Sequence, residues 1–376
     1  MPSKVLIFTK RVLPRSNTFV AAQGNNLPSF SPTYIGLRND SGGINLIEGK
    51  ATCVQADVEP MAVLSRLLLD SCQILTPRWQ KALAANHADV IHAHFGKGGY
   101  YCAPIAKKLE LPLVTTFHGS DVTQKDKFSF NSKHRHITFA QSAKIIAVSQ
   151  FIKRKLLSRG CPEDKIIQHY IGIDNQFFAP AAQRFEQPTI LFVGRLIEQK
   201  GCQYLLQAMK TINQRLPDAQ LIIAGYGSYQ DKLQLLANEV TNVTFAGAQN
   251  RVQVKELMSK AWVTCLPSIV MDRGNEEGMP TVCVESQAVG TPVVAFDTGG
   301  VGEGVVQEKT GLLSEQKNVA QLAENLLTVL QSTALRTQLS QAGITHVNQN
   351  FNIRRQCQKL EDIYQNVISG HHGKHC

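Results

Sequence analysis

The stretch T-I-L-F-V-G-R-L-I-E-Q-K-G, residues 189–201, decides the fold. Its first five residues carry no apolar–polar alternation and run into a glycine loop, then toward a helix. That is the pattern of a strand buried on both faces in a parallel sheet. The chain opens on the same design, with K-V-L-I-F-T at residues 4–9, a loop R-V-L-P-R-S-N-T-F and a helix from about Thr18. Between the two starts the alternation predicts strands near 33–37, 89–94, 111–117, 143–149 and 166–171. Helices are expected over 60–86 with a break at Pro77, over 100–109 and over 150–159. From 175 to 188 the pattern lapses, which reads as a linker. After the restart, strands are expected in A-Q-L-I-I-A-G, V-T-F-A-G, W-V-T-C-L-P-S and T-P-V-V-A-F-D. The accompanying helices fall at 201–216, 229–239, 253–260, 280–289, 319–330 and 353–367. Strands alternating with helices imply right-handed βαβ units. The expected fold is therefore α/β, with two Rossmann-like doubly wound parallel-sheet domains facing across a cleft. The divisions are residues 1–180, 181–352, and a last segment 353–376 of helix and tail.

Composition sets the outer limits. A chain of 376 residues, 43% hydrophobic and 18% charged, has enough apolar surface for two cores. No apolar run approaches the ~18 to 20 residues of a membrane span, and residues 1–10 enter a strand with no secretory h-region, so a cytoplasmic protein is expected. Nine cysteines without a C-x-x-C pair argue against a disulfide framework and a zinc site. The net charge of +10 is unevenly spread, since residues 1–180 hold 22 Lys and Arg against 12 Asp and Glu. That bias points to an anionic surface or substrate for the first half. The run K-D-K-F-S-F-N-S-K-H-R-H, residues 125–136, interleaves cations with Phe128 and Phe130, as a bilayer-interface segment does. No RNA-binding motif accompanies it, so nucleic acid is not an expected partner. The tail H-H-G-K-H-C, residues 371–376, reads as a disordered end.

The residues with chemistry cluster at strand ends. In N-E-E-G-M-P-T-V-C-V-E-S-Q-A-V-G, residues 275–290, Pro280 suits the first position of a helix and Gly290 the position after its end. Glu277 then precedes the helix, and Glu285 lies roughly 12 Å further along its axis. That separation is too wide for a shared proton and suits two grips on one long ligand, with the helix N-terminus favouring phosphate between them. Arg195 and Lys200, five apart at a helix start, suit a pyrophosphate leaving group whose charge rises as its bond breaks. His118 ends a strand beside a glycine, and Asp121 is read as a cap that holds that loop. Ser16, Asn17 and Thr18 lie at a strand's C-terminal end, where open α/β sheets bind ligands. His92 and His94 alternate on a strand with no carboxylate near, so no metal site is expected. The absence of a G-x-G-x-x-G fingerprint with an acidic partner argues against a nicotinamide enzyme.

Taken in order, T-F-H-G-S-D, F-V-G-R-L-I-E-Q-K-G, L-I-I-A-G-Y-G-S, V-T-F-A-G, C-L-P-S and E-G-M-P-T-V-C-V-E-S-Q-A-V-G-T-P-V-V-A resemble the retaining GT-B glycosyltransferases of family 4. The opening P-R-S-N-T-F and the loop H-A-H-F-G resemble the bacterial exopolysaccharide and capsule branch. The resemblance implies that Glu277 holds hydroxyls of a donor sugar beside the N–H groups of Gly278 and Met279. Glu285 would bind the ribose, Gly194, Arg195 and Lys200 the diphosphate, and Gln249 and Asn250 would border the base. His118 would lie near the sugar on the opposite wall, making His118, Arg195, Lys200 and Glu277 the catalytic set. The acceptor would meet Ser16, Asn17, Thr18, Phe95, Gly96, His118 and Asp121. The implied partners are a nucleotide-sugar donor and a glycan or polyprenyl-diphosphate-linked acceptor, with contact between the basic first domain and an anionic membrane. No cofactor and no metal are required. The alternatives are a nucleotide-sugar 2-epimerase or phosphorylase on the same fold, or a non-catalytic sugar-nucleotide-binding subunit. Two positions depart from the family: Ser16-Asn17-Thr18 replaces a glycine pair, and G-G-V-G-E-G around Glu303 lacks the usual proline.

Overall fold

The computed structural model describes residues 2–12, 17–40, 44–47, 49–125, 132–180 and 183–373. It divides into two compact units: residues 1–172 with the chain from Ile353 onward, and residues 173–352.

The first unit is built on β1 (Ser3–Phe8), β2 (Arg11–Val12), β3 (Phe30–Gly36), β4 (Arg38–Asn39), β5 (Ala51–Val54), β6 (Val90–His94), β7 (Leu113–Phe117), β8 (Lys144–Ala147) and β9 (Ile166–Gln168). Seven of these form a parallel sheet in the order β5-β3-β1-β6-β7-β8-β9, and β2 pairs with β4. Alternate residues of a strand face opposite sides, and β1 divides accordingly. Val5 and Ile7 join a core completed by Leu360, Tyr364 and Val367 of the last helix, Ile353–His372. Leu6 and Phe8 join Leu69, Trp79, Tyr101 and Ile105 on the other face. The last helix is further tied in by the buried Glu361, whose Oε1 accepts from the N–H groups of Ser29 and Phe30 at 2.7 and 2.8 Å.

The second unit repeats the design with β10 (Thr189–Val193), β11 (Gln220–Ala224), β12 (Val243–Gly247), β13 (Val263–Leu266), β14 (Val293–Phe296) and β15 (Gly311–Ser314), ordered β12-β11-β10-β13-β14-β15 and all parallel. One face packs Ile190, Phe192, Leu205, Met209 and Leu326 into the main core. The other holds a smaller cluster of Leu266, Cys283, Val293 and Ala295. In both sheets the order reverses beside the first strand, leaving the loops after β1 and β10 at switch points where such sheets receive ligands. No helix among the described residues is long and apolar enough to cross a membrane.

Four expectations are corrected. The units part after Gly172, not after residue 180. The presumed linker belongs to the second unit: Phe178 is buried, and the Arg184 guanidinium donates to the carbonyls of Ser259, Ala261 and Gly290 at 3.0, 2.7 and 2.6 Å. The helical segment 60–86 breaks at Pro77 as expected, into Ala62–Cys72 and Pro77–Ala84 with a four-residue gap between them, but it is preceded by β5, which the pattern does not predict. The glycines after His94 do not form a loop. They lie inside the helix Gly96–Leu109, where a Cβ on Gly99 would come within 2.5 Å of Thr138 and 2.7 Å of Thr115. Their smallness serves helix packing against β7 and the helix Ser132–Gln141. Of the aromatic and basic run, residues 126–131 lie outside the described residues.

Candidate functional site

In the second unit, the loop leaving β10 carries Gly194 and the exposed Arg195, passes through the turn Glu198–Lys200 and enters the helix Cys202–Arg215. Lys200 Nζ lies 2.7 Å from Glu277 Oε1, and the two side chains are only 17% and 11% exposed. Burial opposes ionisation of Glu277, but the Lys200 charge and hydrogen bond, the Ser268 hydroxyl and the Arg195 charge outweigh it. The carboxyl is held below its usual value. The loop is fixed from behind as well: the Glu277 carbonyl accepts from the Gly300 N–H at 2.9 Å. Gly299, at φ +59, passes so close that a Cβ would stand 2.2 Å from that oxygen. Gly278 and Met279 are buried beside it.

The helix begins at Thr281, not at Pro280. Pro280 has ψ 104, so it occupies the N-cap and the helix Thr281–Ala288 starts one residue later than expected. Gly290 takes φ +80 just beyond its end, as anticipated. Glu285 projects from this helix without a close cation. Burial dominates there, the Arg251 charge and a Thr281 hydrogen bond offset it in part, and the carboxyl is pushed up to about 7. Arg251 is itself held by Phe177, 4.0 Å from the ring centroid, and by Asp174 Oδ2 at 3.6 Å. Arg251, Asp174 and Ser268 carry no signal in the sequence; Ser268 and Arg251 are singled out by their action on Glu277 and Glu285, and Asp174 by its pairing with Arg251. Gln249 and Asn250 are committed locally. Gln249 donates to the Ala246 carbonyl, and Asn250 closes a capping box with Gln253 on the helix Arg251–Lys260.

The first unit gathers a second group at the ends of β1, β6 and β7. Asp121 holds the loop after β7, accepting at Oδ1 from the N–H groups of His118 (3.1 Å) and Gly119 (2.7 Å) and at Oδ2 from Gly96 (3.1 Å). Burial keeps its carboxyl above the usual value despite these donors. Phe95 adopts φ 68, rare for an aromatic residue. Its ring lies 4.7 Å from that of His118, and Phe19 covers another side at 4.8 Å. Asn17 and Thr18 open the helix Thr18–Asn25; Ser16 lies outside the described residues.

His118 Nε2 lies 3.0 Å from His94 Nδ1, a partnership the sequence did not disclose. The remaining ring nitrogens, His118 Nδ1 and His94 Nε2, are buried and meet no partner among the described residues. Burial first, and the His92 charge next, push His118 down to about 3, so both rings of the pair are neutral at physiological pH. His92 is spent on structure, bonded to Tyr364 Oη and Thr116 Oγ1 at 2.6 Å each. Among the described residues no cluster of three or more His, Cys, Asp or Glu is placed to hold a metal ion.

Two parallel-sheet α/β units with polar groups collected at their switch points define a protein of GT-B architecture. Solved structures agree on the fold: a glycosyltransferase from Rickettsia africae superposes with a TM-score of 0.79 at 20% identity, covering 98% of this chain and 99% of that one. HepE from Anabaena, solved in complex with UDP, superposes with a TM-score of 0.77 at 18% identity over 97% of this chain and 100% of that one. The family model described as glycosyl transferases group 1 matches residues 174–346, and the glycosyltransferase family 4 model matches residues 55–177. The chain belongs to this family of glycosyltransferases. Among its relatives is the amylovoran biosynthesis glycosyltransferase AmsK of Erwinia amylovora, 28% identical over 74% of this chain and 70% of that one.

Proposed function

We propose that the chain moves a sugar from a nucleotide-diphosphate sugar to a hydroxyl of a glycan or lipid-linked acceptor, retaining the anomeric configuration, in polysaccharide biosynthesis. The buried Lys200–Glu277 pair carries this reading, set beside Arg195 and leading into the helix that bears Glu285. In this reading the second unit takes the donor. Arg195 and Lys200 meet the diphosphate, Glu277 with the N–H groups of Gly278 and Met279 holds the sugar, and Glu285 accepts from the ribose hydroxyls. The first unit takes the acceptor near Asn17, Thr18, Phe95, Gly96 and His118, in a loop held by Asp121. Support comes from AmsK, named for amylovoran biosynthesis, and from HepE, solved with UDP and with UDP-glucose.

The bond from the anomeric carbon to the diphosphate oxygen breaks, and a bond from the acceptor oxygen forms on the same face. The acceptor's proton passes to the departing diphosphate oxygen. Orientation and charge do the rest, with the two cations and the helix N-terminus stabilising the leaving group so that no metal ion is required. His118, being neutral, serves as a hydrogen-bonding group and not as an acid. Such an enzyme works in the cytoplasm, at the membrane face where a lipid-linked acceptor is presented.

A thermal-shift panel of nucleotide sugars tests the donor side, since a ligand at 100 times its Kd adds about 2.7 kcal/mol. NMR of the product from the stabilising donor and a lipid-linked acceptor then reads the anomer. Failure of every nucleotide sugar to stabilise the protein overturns the reading. An inverted product overturns retention, and donor conversion without acceptor identifies an epimerase instead.

A further inference from the structure

Beside the His118 loop, the first unit contains a cavity of about 580 Å³ whose lining includes four cations: Lys10 and Arg11 after β1, Arg38 on β4 and Arg66 on the helix Ala62–Cys72. Among the described residues none of the four forms an ion pair. The single acid in the wall, Asp70, is already answered by Lys97 at 3.3 Å and by the Tyr101 hydroxyl at 2.7 Å. Burial and the neighbouring like charges lower the pKa of Lys10, against a partial offset from Asp70, and of Arg66, so four cations crowd round one acid that Lys97 already shares. A fold keeps such a cluster at a cost in self-repulsion, and an anion of several charges relieves it.

The same helix supplies an apolar lip. Val63, Arg66, Leu67 and Asp70 follow the i, i+3, i+4, i+7 spacing of one helical stripe and all line the cavity. Val63 and Leu67 are nevertheless 64% and 57% exposed, and Met61, the residue that caps the start of the helix, is 62% exposed. The opposite stripe, Ser65 and Leu69, is buried in the unit. An apolar edge of this kind beside a recessed group of cations matches an amphiphile, with its charge inside and its chain along the helix. A flat basic patch would serve any anionic bilayer; a recess selects a headgroup that reaches into it.

We propose that this cavity binds the diphosphate headgroup of a membrane lipid, with the helix Ala62–Cys72 lying at the bilayer surface through Met61, Val63 and Leu67. The inference rests on the reading that the first unit receives a lipid-linked acceptor, and it assigns that acceptor's diphosphate to Lys10, Arg11, Arg38 and Arg66. The cavity adjoins the acceptor loop directly, since Asn17 and Phe95 belong to both.

The test is vesicle co-sedimentation of the full chain with phosphatidylcholine vesicles of three kinds. One is neutral, one carries phosphatidylglycerol, and one carries polyprenyl diphosphate at equal charge. Calorimetry with inorganic pyrophosphate runs in parallel, with the diphosphate site at Arg195 and Lys200 filled beforehand by a saturating nucleotide sugar. The expected result is binding to the polyprenyl diphosphate vesicles about tenfold tighter than to phosphatidylglycerol vesicles. Arg38→Gln with Arg66→Gln loses that preference and the pyrophosphate heat together. Val63→Ser with Leu67→Ser, both on the exposed face, loses vesicle binding and keeps the pyrophosphate heat. Equal binding to both anionic vesicles, no vesicle binding by the unaltered chain, or a pyrophosphate heat indifferent to the arginine changes each overturns the assignment. Thermal shifts with the panel of nucleotide sugars on the same preparations separate the two levels. If the donor stabilises the chain while vesicles do not bind, this inference alone falls; if no donor stabilises it, the underlying reading falls.

Discussion

The two glutamates on either side of Pro280 differ in charge state for a reason visible in their partners. Glu277 has Lys200 at 2.7 Å and is held ionised; Glu285 has no cation so close and is pushed up to about 7. If Glu285 accepts from ribose hydroxyls, it does so best as a carboxylate. Donor KM should therefore fall as pH rises from 6 to 8, and Glu285→Gln should flatten the profile at the weaker level. A KM indifferent to pH in the unaltered enzyme would remove Glu285 from the ribose. Stability moves the other way. The folded pKa lies above the unfolded one, so the folded state binds more protons between the two values. Stability is full below about pH 4.5 and is lost as pH rises through 7. The melting temperature of Glu285→Gln should accordingly gain on that of the parent between pH 5 and 8, as read by scanning calorimetry without ligand. Lys200 carries a different prediction. Its removal leaves a buried carboxylate unpaired, which costs about 3–5 kcal/mol of stability, and withdraws a cation from the leaving group. Lys200→Ala, assayed well below its melting temperature at saturating donor, should lower kcat by about 10²-fold. An unchanged kcat would exclude Lys200 from the transition state.

Among the elements, one glycine can be tested against another with the same backbone conformation. Gly299 and Gly247 have φ +59 and +70, but a Cβ at Gly299 meets the Glu277 carbonyl at 2.2 Å, whereas at Gly247 nothing lies within 4 Å. Gly247→Ala should cost only the left-handed penalty of about 1–2 kcal/mol, with donor kinetics intact. Gly299→Ala should add a drop in kcat/KM, because the loop carrying Glu277 has to move. Urea denaturation and donor kinetics on both variants separate conformation from contact, and equal kinetics would show that the loop tolerates displacement. What the sequence made legible at this scale follows the same division between local and tertiary causes. Buried parallel strands such as β10 and β14 are nearly continuous apolar runs, so they could be read directly. β5 could not, because Ala51 and Thr52 are exposed and the run is four residues long. The segment around Phe178 and Arg184 looked like a linker because its order comes from distant carbonyls and not from any local period. At the candidate site, Glu277, Lys200 and Asp121 could be singled out by residue type and position at strand ends, while the pairing of Lys200 with Glu277 is visible only in space. His94 was assigned no role, since its bond to His118 exists only because β6 and β7 are neighbours with His94 opposite Thr116.

On the scale of the molecule the chain is unequal in how its units are closed. Residues 173–352 are continuous and contain their whole sheet and both of its cores. The first unit is discontinuous, since one face of its sheet is finished by Leu360, Ile363, Tyr364 and Val367 from the end of the chain. It also carries the charge bias, which lies within residues 1–180, so it has self-repulsion to overcome as well. Burying each of those four side chains is worth about 1.5–3 kcal/mol, and together they rival the ~5–15 kcal/mol that holds an ordinary domain. A chain ending at residue 352 should therefore lose the first unit's calorimetric transition and its hydrogen-exchange protection while the second unit still melts cooperatively. Residues 173–352 expressed alone should fold and bind whichever nucleotide sugar stabilises the whole chain with the affinity of the whole chain. Substituting Glu361→Ala in the full chain offers a gentler form of the same test. It strips the N–H groups of Ser29 and Phe30 of their acceptor and should lower only the first unit's transition. If both transitions fell together in either experiment, the two units would be coupled in folding, and the separate closure of their cores would not govern how the molecule melts.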